Sequence, residues 1–405
     1  MQHQNKTEFP LMPEKIKVAV FMGGLSSEHD VSVCTGLEAL QALDPERYDG
    51  FPVYVGLDNQ WWVGDALRDV KHYIPDAALK RQLTRVSLDL GHAREGGRAV
   101  LRATGGGLMG RKAFPFDVAL LAMHGSWGED GTLQGVLTAE GIPFAGAGVG
   151  AMGVAINKLW TQQVAAAAGL PTLPSVLVRR GEMLDEAAAV AALGAFPLFV
   201  KPNFLGSSIG ARRVEDGAAL GAALAEVFRM DTAALVQPCV ANLAEYNVAV
   251  RRGADGALAA SAIERPLRKG DLLSFADKYA HSGHNKLGLT QGMAAMDRVL
   301  NPPELEGGRG ARITAWAKAL FAALDMAGAP RLDFLADEAT GEVWFNEINP
   351  LPGGFGAYLW EAAAPRVGFS ALLADMLEEA RTRVRTQARV VDPVGTGSAL
   401  FRKRG

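Results

Sequence analysis

Two short apolar runs, Ile16–Met22 (IKVAVFM) and Asp117–Met123 (DVALLAM), each stop on a glycine turn: Gly23-Gly24 after the first, His124-Gly125 after the second. Runs with so little polar alternation belong to strands covered on both faces, and those occur in parallel sheets flanked by helices. A helical stretch from about Asp30 to Leu43, stopped by Asp44-Pro45, and a further strand at Phe51–Val55 follow the first run. Strand–helix–strand alternation of this kind predicts an α/β unit whose functional residues collect where the strands end. Asp58–Arg111 is weaker in pattern, contains Gly105-Gly106-Gly107 and reads as decoration on that unit.

A chain of 405 residues has room for two or three packed domains. A second unit begins near Gly153, with a helix expected over Ala155–Ala168 and strands at Pro197–Lys201, Ala211–Val214 and Ala234–Gln237. Tyr246–Arg251 is a further strand candidate. In the third unit, Leu332–Ala336 and Val343–Ile348 flank the turn Glu338–Gly341 (EATG), a hairpin signal. We place the boundaries at 15–152, 153–242 and 243–388, with 389–405 as a mobile tail; the charged RTRVRTQAR run from Arg381 reads as part of that solvated end.

Composition removes several classes. With 41 basic and 44 acidic residues the net charge is −3, so no basic surface for nucleic acid is indicated. Cys34 and Cys239 have no metal-ligand or redox spacing, which points to a reduced, cytoplasmic protein. No apolar stretch approaches the roughly 18 residues of a membrane span, and the polar first residues carry no secretory signal.

The densest chemistry lies in Arg331-x-Asp333 and Asn346-Glu347-Ile348-Asn349-Pro350. Period-2 alternation puts Glu347 and Asn349 on one face, where Asp333 from the partner strand can join them. Two carboxylates and an amide carbonyl are hard oxygen donors suited to Mg²⁺ beside a polyphosphate. A surface hairpin with a wet polar face is the alternative, but Val343, Trp344, Phe345 and Ile348 make this strand apolar. Phe204–Gly210 is a glycine- and serine-rich loop following Lys201; its backbone and the hydroxyls of Ser207 and Ser208 suit phosphate, although it is not a Walker A sequence. Lys158, Lys201 and Lys278 are candidate phosphate ligands or plain surface charges. Glu28, in GGLSSE, suits a cationic amine; His124 and Glu129 form a second strand-end cluster, with helix capping as the alternative for Glu129.

In order and wording, GGLSSEHDVS at 23–32, MHGSWGEDGTLQG at 123–135, VKPNFLGSSIG at 200–210 and RLDF…FNEINPLPG at 331–353 resemble the D-alanine–D-alanine ligase branch of the ATP-grasp superfamily. The resemblance runs from about Lys17 to Leu377. It implies a three-domain ATP-grasp architecture: an N-terminal parallel α/β domain and two α+β domains clasping ATP. It implies two Mg²⁺ (or Mn²⁺) ions on Asp333, Glu347 and Asn349, and phosphate contacts from Lys158, Lys201, Ser207, Ser208 and the lid residue Lys278. It implies adenine contacts from Gln237 to Val240 and a ribose contact from Glu245. Glu28, linked with Ser207 and Tyr279, is implied to hold the first substrate's ammonium. Arg331 is implied to steady the tetrahedral oxyanion, and His124, Gly353, Tyr358 and Leu359 to line the amino-acid sites. A homodimer is implied as well.

Two departures stand out. Gln237 occupies a position where the family often has Glu, which leaves the nucleotide preference open. Tyr358, in GFGAYLW, aligns with a serine that helps hold the second substrate's carboxylate, so the acceptor is either D-alanine held differently or another amine. The leading expectation is an ATP-dependent ligase joining two small amino acids through an acyl phosphate, D-alanine with D-alanine. The alternatives are a dipeptide ligase of specialised metabolism and a nucleotide-binding regulatory protein without catalysis.

Overall fold

The first apolar run forms β1 (Ile16–Gly23), buried from Val18 onward. Helix α1 (His29–Ala42) carries the chain to β2 (Tyr48–Val55), which pairs with β1 in parallel. The computed structural model describes residues 14–73, 77–91, 97–105, 112–267 and 297–387. Within these, the weakly patterned segment is not loose decoration. It supplies β3 (Trp61–Val63), the short α2 (Ala77–Lys80), β4 (Thr84–Leu88) and β5 (Ala99–Ala103), joined by β6 (Ala113–Phe116). These strands extend the sheet antiparallel from β2 outward. Three to five residues each are too few to show a period, which is why the segment looked featureless as sequence.

On the other side of β1 lies parallel β7 (Val118–Leu121), followed by α3 (Thr132–Ala139) and β8 (Phe144–Ala145). The eight-stranded order is β6-β5-β4-β3-β2-β1-β7-β8. The first functional turn leaves β1 at Gly23 with φ +90°; a Cβ there would sit 2.3 Å from the Val55 carbonyl oxygen. The neighbouring Gly24 N–H donates to that same carbonyl at 2.8 Å. Only glycine lets the chain turn this close to the end of β2.

The helix expected over Ala155–Ala168 begins three residues later, as α5 (Lys158–Ala167), and Ala155 instead ends a preceding helix, α4 (Val149–Ala155). Asn157 interrupts them: its side chain caps α5 by accepting from the Trp160 N–H at 3.0 Å. The backbone N–H groups of Lys158 and Leu159 are drawn across to Asn203, at 3.1 Å each. The break therefore puts Lys158 at a helix N-terminus facing the loop after Lys201. A four-stranded antiparallel sheet follows, β11-β10-β12-β9, from β9 (Val176–Arg179), β10 (Leu198–Pro202), β11 (Arg212–Val214) and β12 (Ala233–Pro238). Helices α6 (Glu186–Leu193) and α7 (Gly217–Val227) lie in the intervening chain, and a small core of its own joins Leu198, Val200 and Val236 to Leu220 and Val227.

The last sheet, β15-β14-β13-β16-β17, is antiparallel. It comprises β13 (Leu243–Arg252), β14 (Leu258–Pro266), β15 (Arg298–Leu300), β16 (Arg331–Asp337) and β17 (Val343–Asn349), with α8 (Arg309–Ala323) packing its Ile313, Leu320 and Phe321 into the core. A left-handed turn at Gly353–Gly356, with Gly354, Phe355 and Gly356 at positive φ, leads to α9 (Ala357–Glu361), and α10 (Phe369–Gln387) closes the described chain. The RTRVRTQ stretch is thus helix rather than tail: Arg383 donates to the Gly146 carbonyl at 2.8 Å and Arg385 to Glu378 at 2.6 Å. The tail expected over 389–405 lies outside the described residues. No helix among the described residues is long and apolar enough to cross a membrane.

Gly23→Ala combines a positive φ with a backbone clash and is expected to lower unfolding stability by at least about 1–2 kcal/mol. Urea unfolding checks this; an unchanged midpoint would contradict the close approach.

Candidate active site

The β16–β17 hairpin is the centre of the site. Asp333 pairs with Glu347 and Arg331 with Asn349, yet Phe334 pairs with Phe345, so Asn346 is an extra residue. This β-bulge resets the alternation: Val343, Phe345 and Ile348 are buried, while Asn346, Glu347 and Asn349 are partly exposed. Asn346 and Glu347 consequently both line a cleft of about 480 Å³, which Arg331 and Asp333 also line.

Lysines from the second unit meet them there. Lys201 Nζ donates to Asn346 Oδ1 at 2.8 Å, and Lys158 Nζ lies 3.3 Å from Glu347 Oε2 while donating to the Leu205 carbonyl at 2.6 Å. Burial pushes the Lys201 ammonium down to about 8; Glu347 and Glu245 pull it back up, and Lys158 works with burial. Asp333 is pushed up to about 6 by burial, against the pull of Arg331. The two form a fork, Arg331 Nε and Nη2 donating to Asp333 Oδ1 and Oδ2 at 2.7 Å each. Burial works against the Arg331 charge, and Asp333 outweighs it.

The donor set fits a divalent cation. After accepting the fork, each Asp333 oxygen keeps a lone pair. The Asn349 amide, oriented to satisfy its neighbours, donates from nitrogen to Glu129 Oε1 at 3.1 Å and to the Leu351 carbonyl at 3.2 Å, which turns its oxygen the other way. Two carboxylates and one amide oxygen on one sheet face are a hard-cation donor set.

A second cluster forms where the first sheet's loops meet the second unit. The Ser207 hydroxyl donates to Glu28. Ser207 and Ser208 both take positive φ, 53° and 58°, and a Cβ on Gly206 would lie 3.1 Å from Glu28 Oε2. Glycine at 206 is what allows the loop to close onto the acid. Glu129 is not a helix cap: it accepts from the Gly125 N–H at 2.7 Å and the Leu351 N–H at 3.2 Å, while Asp130 accepts from Thr132 N at 2.9 Å. Burial, then the charge of Glu28, push the Glu129 carboxyl up to about 8. Two buried acids crowded together favour a cationic guest.

His124 is fully enclosed, and burial pushes it down to about 4, so the ring is neutral. It lies 2.9 Å from Thr35 Oγ1, which also accepts from the Gly354 N–H at 3.2 Å, tying α1 to the turn at Gly353. The Tyr358 hydroxyl donates to Glu264 Oε2 at 2.7 Å. Asn247 donates to the same oxygen at 3.1 Å, Arg298 reaches Glu264 Oε1 at 3.0 Å, and the Arg298 guanidinium stacks 4.1 Å from the Tyr358 ring centre. Burial and the Glu264 charge raise the Tyr358 hydroxyl well above its ordinary range. Leu359 is wholly buried in the hydrophobic core and does not line the cleft. Ser208, Gln237, Val240 and Glu245 line the cleft. Lys278 and Tyr279, with His281 and His284, lie outside the described residues. Thr35, Gln162, Ser175, Asn247, Glu264 and Arg298 carry no motif signal strong enough to single them out; only contacts reveal them.

A strand lysine and a helix-end lysine facing carboxylates of a second antiparallel sheet across a cleft, with an α/β domain in front of both, define an ATP-grasp enzyme. A solved structure of the D-alanine–D-alanine ligase from Coxiella burnetii superposes with a TM-score of 0.76 over 93% of this chain and 96% of that one, at 23% identity. The family models for the N-terminus and the C-terminus of D-ala D-ala ligase match residues 17–147 and 164–378. The D-alanine–D-alanine ligase of Chlorobium limicola is 31% identical over 93% of this chain and 99% of its own. That of Deinococcus radiodurans is 33% identical over 84% and 90%. The chain belongs to the D-alanine–D-alanine ligase family.

ATP affinity is expected to fall as pH rises through about 8, where Lys201 loses its charge. Lys201→Arg, charged throughout, should flatten that fall. Dissociation constants measured from pH 7 to 9 test this; a pH-independent wild type would remove Lys201 from the phosphate site.

Proposed function

We propose that the protein ligates two small amino acids, D-alanine being the donor and the leading acceptor, by activating the donor carboxylate with ATP as an acyl phosphate. The observation that carries the reading is the convergence of Arg331, Asp333, Glu347, Lys158 and Lys201 in one cleft, beside the Glu28–Ser207 contact. In this reading residues 15–152, 153–242 and 243–388 are the three domains. ATP lies with its base near Gln237 and Val240, its ribose at Glu245, and its phosphates against Lys158, Lys201, Ser207 and Ser208, with Lys278 above them by motif resemblance.

The donor ammonium sits between Glu28 and Glu129, with Ser207 holding Glu28 in position and Tyr279 completing the set by resemblance. That orientation leaves the donor carboxylate pointing toward the phosphates. Its oxygen attacks the γ-phosphorus, and ADP leaves. Asp333, Glu347 and Asn349 would hold two Mg²⁺ ions, or Mn²⁺, and the metal would supply neutralisation of the polyphosphate and polarisation of the γ-phosphoryl group. Lys158 and Lys201 spread the same negative charge from the opposite side. The acceptor's neutral amine then attacks the acyl carbon, loses a proton, and inorganic phosphate departs. Arg331, locked in place by its fork to Asp333, is set to steady the oxyanion. By resemblance, neutral His124, Gly353 and Leu359 border the amino-acid sites.

The acceptor side supports a second reading, a dipeptide ligase with a different acceptor. Where the family pattern offers a serine hydroxyl, the Tyr358 hydroxyl is already given to Glu264 at 2.7 Å. A regulatory protein without catalysis is disfavoured by the complete set of lysines and carboxylates. By resemblance the enzyme is a homodimer; composition and cysteine usage favour a cytoplasmic protein without nucleic acid or membrane partners.

Phosphate release from ATP is expected to depend on D-alanine or another small amino acid, and no stimulation across a broad panel would end the ligase reading. Glu347→Gln should lower turnover at least about 100-fold, roughly 3 kcal/mol of transition-state stabilisation; near-normal turnover would dismiss the metal assignment. Tyr358→Ser is expected to change the acceptor profile, read by mass spectrometry of products from pooled D- and L-amino acids, more than the donor profile. An identical product set would mean that Tyr358 does not read the acceptor.

A further inference from the structure

A glutamate at position 237 can only accept hydrogen bonds, whereas the glutamine present here offers a purine either an acceptor or a donor, depending on which way its amide faces. The structure contains a chain of contacts that settles the direction. It starts at a group with no ambiguity, the main-chain carbonyl of Asn346 in the β17 bulge. Gln162 Nε2 donates to that carbonyl at 3.3 Å, so Gln162 Oε1 must face the opposite way. There it accepts from the Ser175 hydroxyl at 2.8 Å and from Gln237 Nε2 at 3.3 Å. Gln237 Nε2 also donates to Ser175 Oγ at 2.9 Å. The Ser175 hydroxyl lies 3.1 Å from the Leu173 carbonyl as well; whichever of the two oxygens takes its proton, a lone pair remains for Gln237. Both N–H groups of Gln237 are thus drawn into the network, and its Oε1 is turned away from it.

We infer that Gln162 and Ser175 are positioning residues that fix the Gln237 amide with Oε1 toward the nucleotide base, so that the site selects a 6-amino purine and rejects a 6-oxo purine. The inference rests on the ATP reading above and goes further, because it names what sets base preference in a chain that lacks the acidic residue. Gln162 and Gln237 are almost completely buried, at 4% and 2% exposure, so water cannot readily rescue a reversed amide. Reversal would set Gln237 Oε1 against Gln162 Oε1, two acceptors with no proton between them. A 6-oxo base would in turn face Oε1 with its own lone pairs, and sites built on one buried hydrogen bond discriminate sharply against a partner that cannot make it. The same network runs to the backbone beside Glu347, so the base contact and the metal-facing strand share one rigid support.

The test compares MgATP with magnesium inosine triphosphate, which differs in offering O6 and N1–H, by calorimetric titration of the full chain. Wild type is expected to prefer ATP by about tenfold or more, the scale of one well-placed hydrogen bond. Gln162→Ala frees the Gln237 amide and should bring the ATP-to-inosine ratio down toward unity. Adding Gln237→Glu to Gln162→Ala should restore it, since a carboxylate has no donor face. Ser175→Ala, a milder change, should lower the ratio part of the way. A wild type that binds both nucleotides equally, or a Gln162→Ala variant that loses both by the same factor, would overturn the inference while leaving the ligase reading intact. A wild type that binds neither nucleotide would overturn the ligase reading itself and this inference with it.

Discussion

One extra residue in β17 organises the site. In an unbroken strand Phe345 and Glu347 would share a face, and either a phenyl ring would enter the cleft or a carboxylate the core. The bulge at Asn346 lets Phe345 and Ile348 both stay buried while Asn346 and Glu347 both reach the lysines. The bulge also frees the Asn346 carbonyl to orient Gln162, so base recognition and phosphate chemistry are referred to the same point of backbone. Removing the extra residue would leave Glu347 opposite Asp333 in a regular strand, but would take away the side chain that meets Lys201 and the carbonyl that meets Gln162.

Around that strand, like charges are placed close together. Glu28 raises the cost of ionising Glu129, and Lys158 that of keeping Lys201 charged. An ammonium group beside the two acids and a polyphosphate beside the two lysines would each lower that cost. The fork between Arg331 and Asp333 holds that guanidinium in one orientation.

Much of this was readable from residue types alone. Asp333, Glu347 and Asn349 follow from alternation on a hairpin, and the glycine turn after β1 from an apolar run meeting Gly23-Gly24. The resemblance of four separated motifs supplied the chemistry. What escaped were features decided by backbone partners. The break at Asn157 arises because Asn203 takes the N–H groups of Lys158 and Leu159, and no helix-propensity argument contains Asn203. Glu129 has the composition of a cap, yet its partners Gly125 and Leu351 lie on different segments, one of them more than two hundred residues away. The strands from β3 to β5 were overlooked because they are short. Tyr358 was visible as a departure, but its bond to Glu264 was not.

The central claim is that a carboxylate oxygen is phosphorylated before the new amide bond forms. Turnover with D-alanine carrying ¹⁸O in both carboxylate oxygens tests it directly, by mass spectrometry of the phosphate released. Each phosphate should contain one ¹⁸O atom, the oxygen left behind when the amine displaces it from the acyl carbon. Phosphate free of the label would mean that ATP is cleaved by water and that no acyl phosphate lies on the path.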